Sequence, residues 1–86
     1  MIKNKIMTAL LSKSSLDKYG ELTDREVEVI QHIWESYTNE ETAELLKLSK
    51  KTVEAHRSNI MGKYNTSNVM QMIRIALAKG IIKIKE

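Results

Sequence analysis

Apolar residues recur at helical spacing in four blocks of this chain, and polar capping residues stand between the blocks. Val27, Ile30, Ile33, Trp34 and Tyr37 recur at helical spacing, as on one face of an α-helix. Ahead of them, Leu22-Thr23-Asp24-Arg25-Glu26 reads as a helix start. Thr23 and Glu26 form a capping box, and Leu22 can staple onto Val27. The first core helix is placed at 24–36, with Trp34 as a core anchor. A second capping box, Thr38-Asn39-Glu40-Glu41, opens a short helix at 39–46 with Ala43, Leu45 and Leu46 apolar. Ser49 caps a third helix, 49–64, whose apolar stripe is Val53, Ile60 and Tyr64. Asn65-Thr66-Ser67 breaks that helix. A fourth covers 68–79, and Gly80 stops it.

Two capped helices joined by so few residues describe a helix-turn-helix, with Ala43 small at the crossing and Leu48 facing inward in the turn. An ordinary helical hairpin of a small bundle shares this pattern. The third helix bears on both readings and leaves both open. Roughly a third of a turn from its stripe runs a line of Lys51, Glu54, Ala55, Ser58 and Gly62. Small residues there suit close approach to another body, whereas a merely solvated face usually carries long charged side chains.

The fourth helix is apolar at eight of twelve positions, more than one stripe requires. Val69, Ile73, Ala76 and Leu77 can make the stripe, which leaves Met70, Met72, Ile75 and Ala78 over. An apolar excess of this kind marks a partner surface. Residues 1–20 have weak periodicity in Ile2, Ile6, Leu10 and Leu11, followed by loop composition. They read as an arm or linker ahead of a domain at 21–86. The tail Ile81 to Glu86 alternates apolar residues with Lys and reads as a short extension or as a disordered end.

Composition agrees with an all-α fold: Pro and Phe are absent, and Leu, Ile, Val and Met dominate the apolar set. Charge changes the picture more. The net value is +3, but residues 1–20 carry +3, residues 21–46 carry −7 and residues 47–86 carry +7. A basic half of this kind is the footprint expected of a phosphate partner. Without Cys, neither disulfides nor thiolate metal sites are available. His32 and His56 fall on different helices, without ligand spacing. Ser12, Ser14 and Ser15 lack a nucleophile motif, and the three Gly are isolated. No enzyme, metal or cofactor is therefore expected. No signal peptide or membrane span is evident, so the cytoplasm is the expected location.

Taken together, LTDREVEVI at 22–30, NEETA at 39–43, LSKKTVEAHRSNIMGKY at 48–64 and GII at 80–82 resemble the LuxR/FixJ-type (GerE-like) helix-turn-helix domain. The resemblance covers about residues 22–82. It implies an all-α, four-helix fold from a bacterial transcription regulator. It also implies a third helix in the major groove of double-stranded DNA and a fourth in a homodimer interface. The arm is similar to the connector that follows a receiver domain, so the chain is expected to be the effector domain of a response regulator. A free-standing small regulator is the other possibility. RNA polymerase is a further expected partner.

Five positions depart from the family pattern. Ser36 stands where Gly is usual, and Glu40 replaces a commonly basic residue. Thr42 replaces an aliphatic residue, and Tyr64-Asn65 replaces Leu-Gly.

Reach along the third helix assigns Glu54, Ala55 and Ser58 to base edges, positions that also match the family's base contacts. Lys51, Arg57 and Lys63 border that face and are assigned to phosphates, with Thr52, His56 and Asn59 as further candidates. Met72, Ile75, Val69 and Ala76 are assigned to the dimer interface. The competing function is a helical protein-interaction module that does not bind DNA.

Overall fold

The computed structural model describes residues 22–85, which form four α-helices. α1 runs Asp24–Trp34, α2 Asn39–Leu46, α3 Lys50–Lys63 and α4 Val69–Ala78. The arm at 1–20 lies outside the described residues.

Each helix begins where its cap chemistry dictates. The Thr23 hydroxyl accepts from the Glu26 amide at 3.1 Å, and Glu26 Oε1 accepts from the Thr23 amide at 2.9 Å. Thr38 and Glu41 repeat this reciprocal box at α2. Ser49 accepts from the Thr52 amide at α3, and Asn68 from the Gln71 amide at α4. These bonds satisfy amides that have no partner within a helix's first turn.

All four helices end in one kind of reversal. Ser36, Lys47, Asn65 and Gly80 have φ of 73°, 59°, 55° and 74°. In each case the amides of that residue and the next donate back to carbonyls of the last turn: Ser36 to Ile33 and Tyr37 to His32, Lys47 to Glu44 and Leu48 to Ala43. Asn65 pairs with Gly62, Thr66 with Met61, Gly80 with Leu77 and Ile81 with Ala76. This closure needs a left-handed residue, and only one of the four is Gly. The strain at Ser36 and Lys47 is on the order of 1–2 kcal/mol each, partly offset in any glycine variant by about 0.5–1 kcal/mol of backbone entropy. Ser36→Gly combined with Lys47→Gly should therefore stabilise the domain by about 1 kcal/mol, read as a higher urea midpoint at unchanged m-value.

One core joins the helices. α1 contributes Val29 and Ile30, α2 Ala43, α3 Val53, Ile60 and Tyr64, and α4 Met72, Ile73 and Ala76. α3 packs against both α1 and α2, and α4 closes over α1 and α3. Trp34 is not the expected anchor: it is 36 % exposed, while Ile30 is fully buried. As the last residue of α1, Trp34 stands at the rim of a small domain.

The tail is ordered along α1. Gln31 Nε2 donates to the Lys83 carbonyl at 2.8 Å, and the Lys83 amide donates to Gln31 Oε1 at 2.9 Å. Lys85 Nζ stands 3.2 Å from Glu35 Oε2, and Ile82 is buried in the core.

A second long-range tie runs from α1 to the end of α3. Lys63 Nζ donates to Glu26 Oε1 at 2.8 Å, and the Glu26 side chain is only 5 % exposed. Burial alone would raise the Glu26 pKa. The hydrogen bond and charge of Lys63, with the Thr23 amide and hydroxyl, outweigh burial and hold the carboxyl below its ordinary range.

Candidate nucleic-acid interface

At 100° per residue, α3 turns Val53 and Ile60 into the core and turns Lys51, Ala55, Ser58, Asn59 and Gly62 away from it. All five outer residues are exposed. Among the described residues, nothing beyond the helix's own backbone and the adjoining residues comes within 4 Å of where a Cβ on Gly62 would stand, so this face is open. Ala, Ser and Gly let the helix backbone come close to whatever it meets. Glu54 lies at the edge of the face, exposed, and its carboxylate forms no hydrogen bond or ion pair with the described residues.

The two flanks of this face are built differently. On the flank toward α2, Arg57 Nη1 donates to Asn39 Oδ1 at 2.7 Å, which fixes a half-buried guanidinium from the first turn of α2. Lys50 Nζ stands 3.6 Å from Glu40 Oε2, with both side chains exposed. On the opposite flank are Thr52, His56 and Lys63. Thr52 is exposed, and its hydroxyl accepts from Ser49 at 2.9 Å. His56 is half-buried.

Of the residues assigned to DNA, the structure brings Lys51, Glu54, Ala55, Ser58 and Asn59 together on one accessible surface. Arg57 is beside them, held by Asn39. Lys63 lies apart from them: its ammonium is on Glu26, so it serves the fold. Three contributors were missed in the sequence: Asn39, Glu40 and Glu26. Asn39 read there only as part of a helix start, and Glu40 as that and as an acid in place of a commonly basic residue. The signal available was that they open α2 beside the cations of α3.

The interface assigned to α4 needs correction. Met72 and Ala76 are fully buried in the protomer's own core, so they cannot offer side chains to a partner. Val69 is exposed and Ile75 half-buried, and Met70, at 66 % exposed, is the largest apolar group that α4 leaves to solvent. α4 packs on both α1 and α3, so its buried arc is centred on Met72, Ile73 and Ala76. Of the expected stripe, Ile73 and Ala76 are buried and Leu77 packs against the core, whereas Val69, in the first turn of α4, is 37 % exposed.

Among the described residues no helix is long and apolar enough to cross a membrane. No group of three His, Asp or Glu among them could hold a metal ion.

The family described as "Bacterial regulatory proteins, luxR family" matches residues 20–76. The chain is 45% identical over 65 residues to the uncharacterized response regulatory protein YgeK of Escherichia coli K12, covering 76% of this chain and 44% of that protein. It is 39% identical over 70 residues to the oxygen regulatory protein NreC of Staphylococcus epidermidis, covering 81% of this chain and 32% of that protein. NreC of Staphylococcus carnosus is 38% identical over 71 residues, covering 83% of this chain and 33% of that protein. The chain thus spans less than half the length of these curated relatives.

Proposed function

Because the chain belongs to the luxR family of bacterial regulatory proteins, we propose that it is a sequence-specific duplex-DNA-binding domain of a transcription regulator, with α3 in the major groove. The observation that carries this reading is the face of α3 opposite Val53 and Ile60. It is exposed, built of small and polar residues, and bordered by Lys51 and by an Arg57 oriented from α2. A helix fits the major groove only if its outer face admits the base edges. Its N-terminal half makes the base contacts.

In this reading Glu54 accepts from a cytosine amino group, Ala55 touches a thymine methyl, and Ser58 pairs with a base edge. Lys51 and Arg57 hold phosphates, joined by Thr52, Asn59 and His56 at the margins. The name of YgeK, a response regulatory protein, supports an effector role in a response regulator; a receiver domain would then control the domain described here. Pairing of two copies through Val69, Met70 and Ile75 of α4 would place two α3 helices on half-sites about one helical turn apart.

Selection of bound sequences from a random duplex pool tests the reading. A single enriched motif, bound with a steep salt dependence, is the expected result. Absence of duplex binding would favour the protein-interaction module instead. Glu54→Gln is expected to relax or switch preference at one base pair by roughly 1–3 kcal/mol, without weakening affinity for unrelated DNA. Lys51→Ala is expected to weaken all sequences alike and to reduce the salt slope by about 1. An unchanged selected motif in Glu54→Gln would remove Glu54 from the base-reading set.

A further inference from the structure

Two consecutive residues in the first turn of α2 each hold a cation of α3, and they do so with opposite electrostatic effect. Asn39 accepts from Arg57 at 2.7 Å and is neutral, so the guanidinium is oriented and keeps its full charge. Glu40 stands 3.6 Å from Lys50 and is an acid, so the ammonium is offset. The pair spans a groove between the starts of α2 and α3, lined by Thr38, Glu40, Glu44, Leu48 and Lys50.

Lys50 is four residues before Glu54 and seven before Arg57, so all three lie along one side of α3. That side borders the face proposed to enter the groove, within reach of a phosphate backbone. With no Glu40, three cations, Lys50, Lys51 and Arg57, would border the face. With it, Lys50 is masked and a negative charge stands at the same rim.

The fold does not require this arrangement. Both side chains are exposed, 54% for Lys50 and 76% for Glu40, and exposed ion pairs contribute little to stability. The capping box of α2 uses Thr38 and Glu41, not Glu40. The ion pair with Lys50 is the one side-chain hydrogen bond or ion pair of Glu40 among the described residues.

We propose that Glu40 is a specificity-determining residue that masks Lys50 and lowers sequence-independent affinity for duplex DNA. This rests on the reading of α3 as the DNA-binding helix. Phosphate contacts supply nearly all non-specific binding and carry no sequence information. Discrimination is a difference of affinities, so an acid that penalises the backbone term widens the margin held by the correct site. Arg57, oriented but not offset, keeps the register contact. Lys50 becomes a phosphate ligand only when Glu40 is displaced or removed.

The test measures binding of the 86-residue chain over a series of salt concentrations, with two probes: a duplex of randomised sequence and a duplex recovered by selection. Glu40→Gln should bind the randomised duplex several-fold more tightly, with a salt slope steeper by about 0.9. Its preference for the selected duplex should narrow. Adding Lys50→Ala to Glu40→Gln should restore the original slope, whereas Lys50→Ala alone should change it little. An unchanged slope in Glu40→Gln overturns the proposal. A gain that persists in full without Lys50 also overturns it, since Glu40 would then act by simple repulsion of DNA. If the unmodified chain binds neither duplex in a salt-dependent way, the DNA-binding reading itself fails. That arm is read before any variant, so the two failures are distinct.

Discussion

Glu in place of Met72 is expected to unfold the domain, while Glu in place of Met70, two residues earlier on α4, leaves it folded. Met72 is 0 % exposed and Met70 is 66 % exposed. Met72 lies in the core that α4 shares with α1 and α3. Removing its side chain would by itself cost about 2–5 kcal/mol. Burying an unpaired carboxylate there adds several kcal/mol more, or forces the group to protonate. A domain of this size has a total stability on the order of 5 kcal/mol, so the sum exceeds it. Met70→Glu changes an exposed side chain and should stay within about 0.5 kcal/mol. Far-UV circular dichroism and urea unfolding of both variants decide the matter. A cooperative transition near the original midpoint in Met72→Glu would place Met72 outside the core. The consequence for association is direct. Lost pairing in a Met72 variant would report unfolding, so Val69, Met70 and Ile75 are the positions at which a dimer surface should be probed.

Glu26→Ala is expected to cost about 2–3 kcal/mol. One carboxylate caps α1 through the Thr23 amide and also receives Lys63 from the end of α3. Loss of a capping group costs about 1 kcal/mol, and loss of a hydrogen bond to a charged partner about 1.5–3 kcal/mol. The total is held toward the lower end because Lys63 is 33% exposed and regains water. Glu26→Gln keeps an acceptor for the Thr23 amide and should recover part of the loss.

The pH dependence follows from the same contacts. The folded protein holds the Glu26 carboxyl below its ordinary range, so the unfolded chain binds this proton first as pH falls. The contribution is fully present above the ordinary carboxylate value of about 4.3 and is lost as pH drops through that value toward the folded one. Urea midpoints across an acidic pH series should show this decline in the unmodified chain and a shallower one in Glu26→Gln. Equal slopes in the two proteins would mean that Glu26 is not held by Lys63.

How far this protein can be read without its structure depends on the range of the interactions involved. Thr23 with Glu26, Thr38 with Glu41, Ser49 with Thr52 and Asn68 with Gln71 each act over three residues. The chain therefore carries its helix starts openly, and with them the helix-turn-helix and the outward face of α3. Left-handed closure at Ser36 was legible only through the resemblance, in which Gly is usual at that position, whereas the same conformation at Lys47 had no Gly or Asn to announce it. α4 could not be resolved from its own residues. An apolar residue on nearly every face gives periodicity no direction, and only the positions of α1 and α3 decide that Met72 and Ala76 turn inward while Met70 turns out.

The cations divide in the same way. Lys51 has its exposure decided by α3 alone, because that helix's own period turns it outward. Arg57 and Lys63 find partners 18 and 37 residues away, at Asn39 and Glu26, and so does the tail, whose Lys83 backbone pairs with Gln31 52 residues back. Local sequence determined the elements and the face that α3 offers. The packing of α1 and α2 against α3 decided which of its charges remain available, because a charge's partner is set by distance in space, and that distance exists only once the helices have docked.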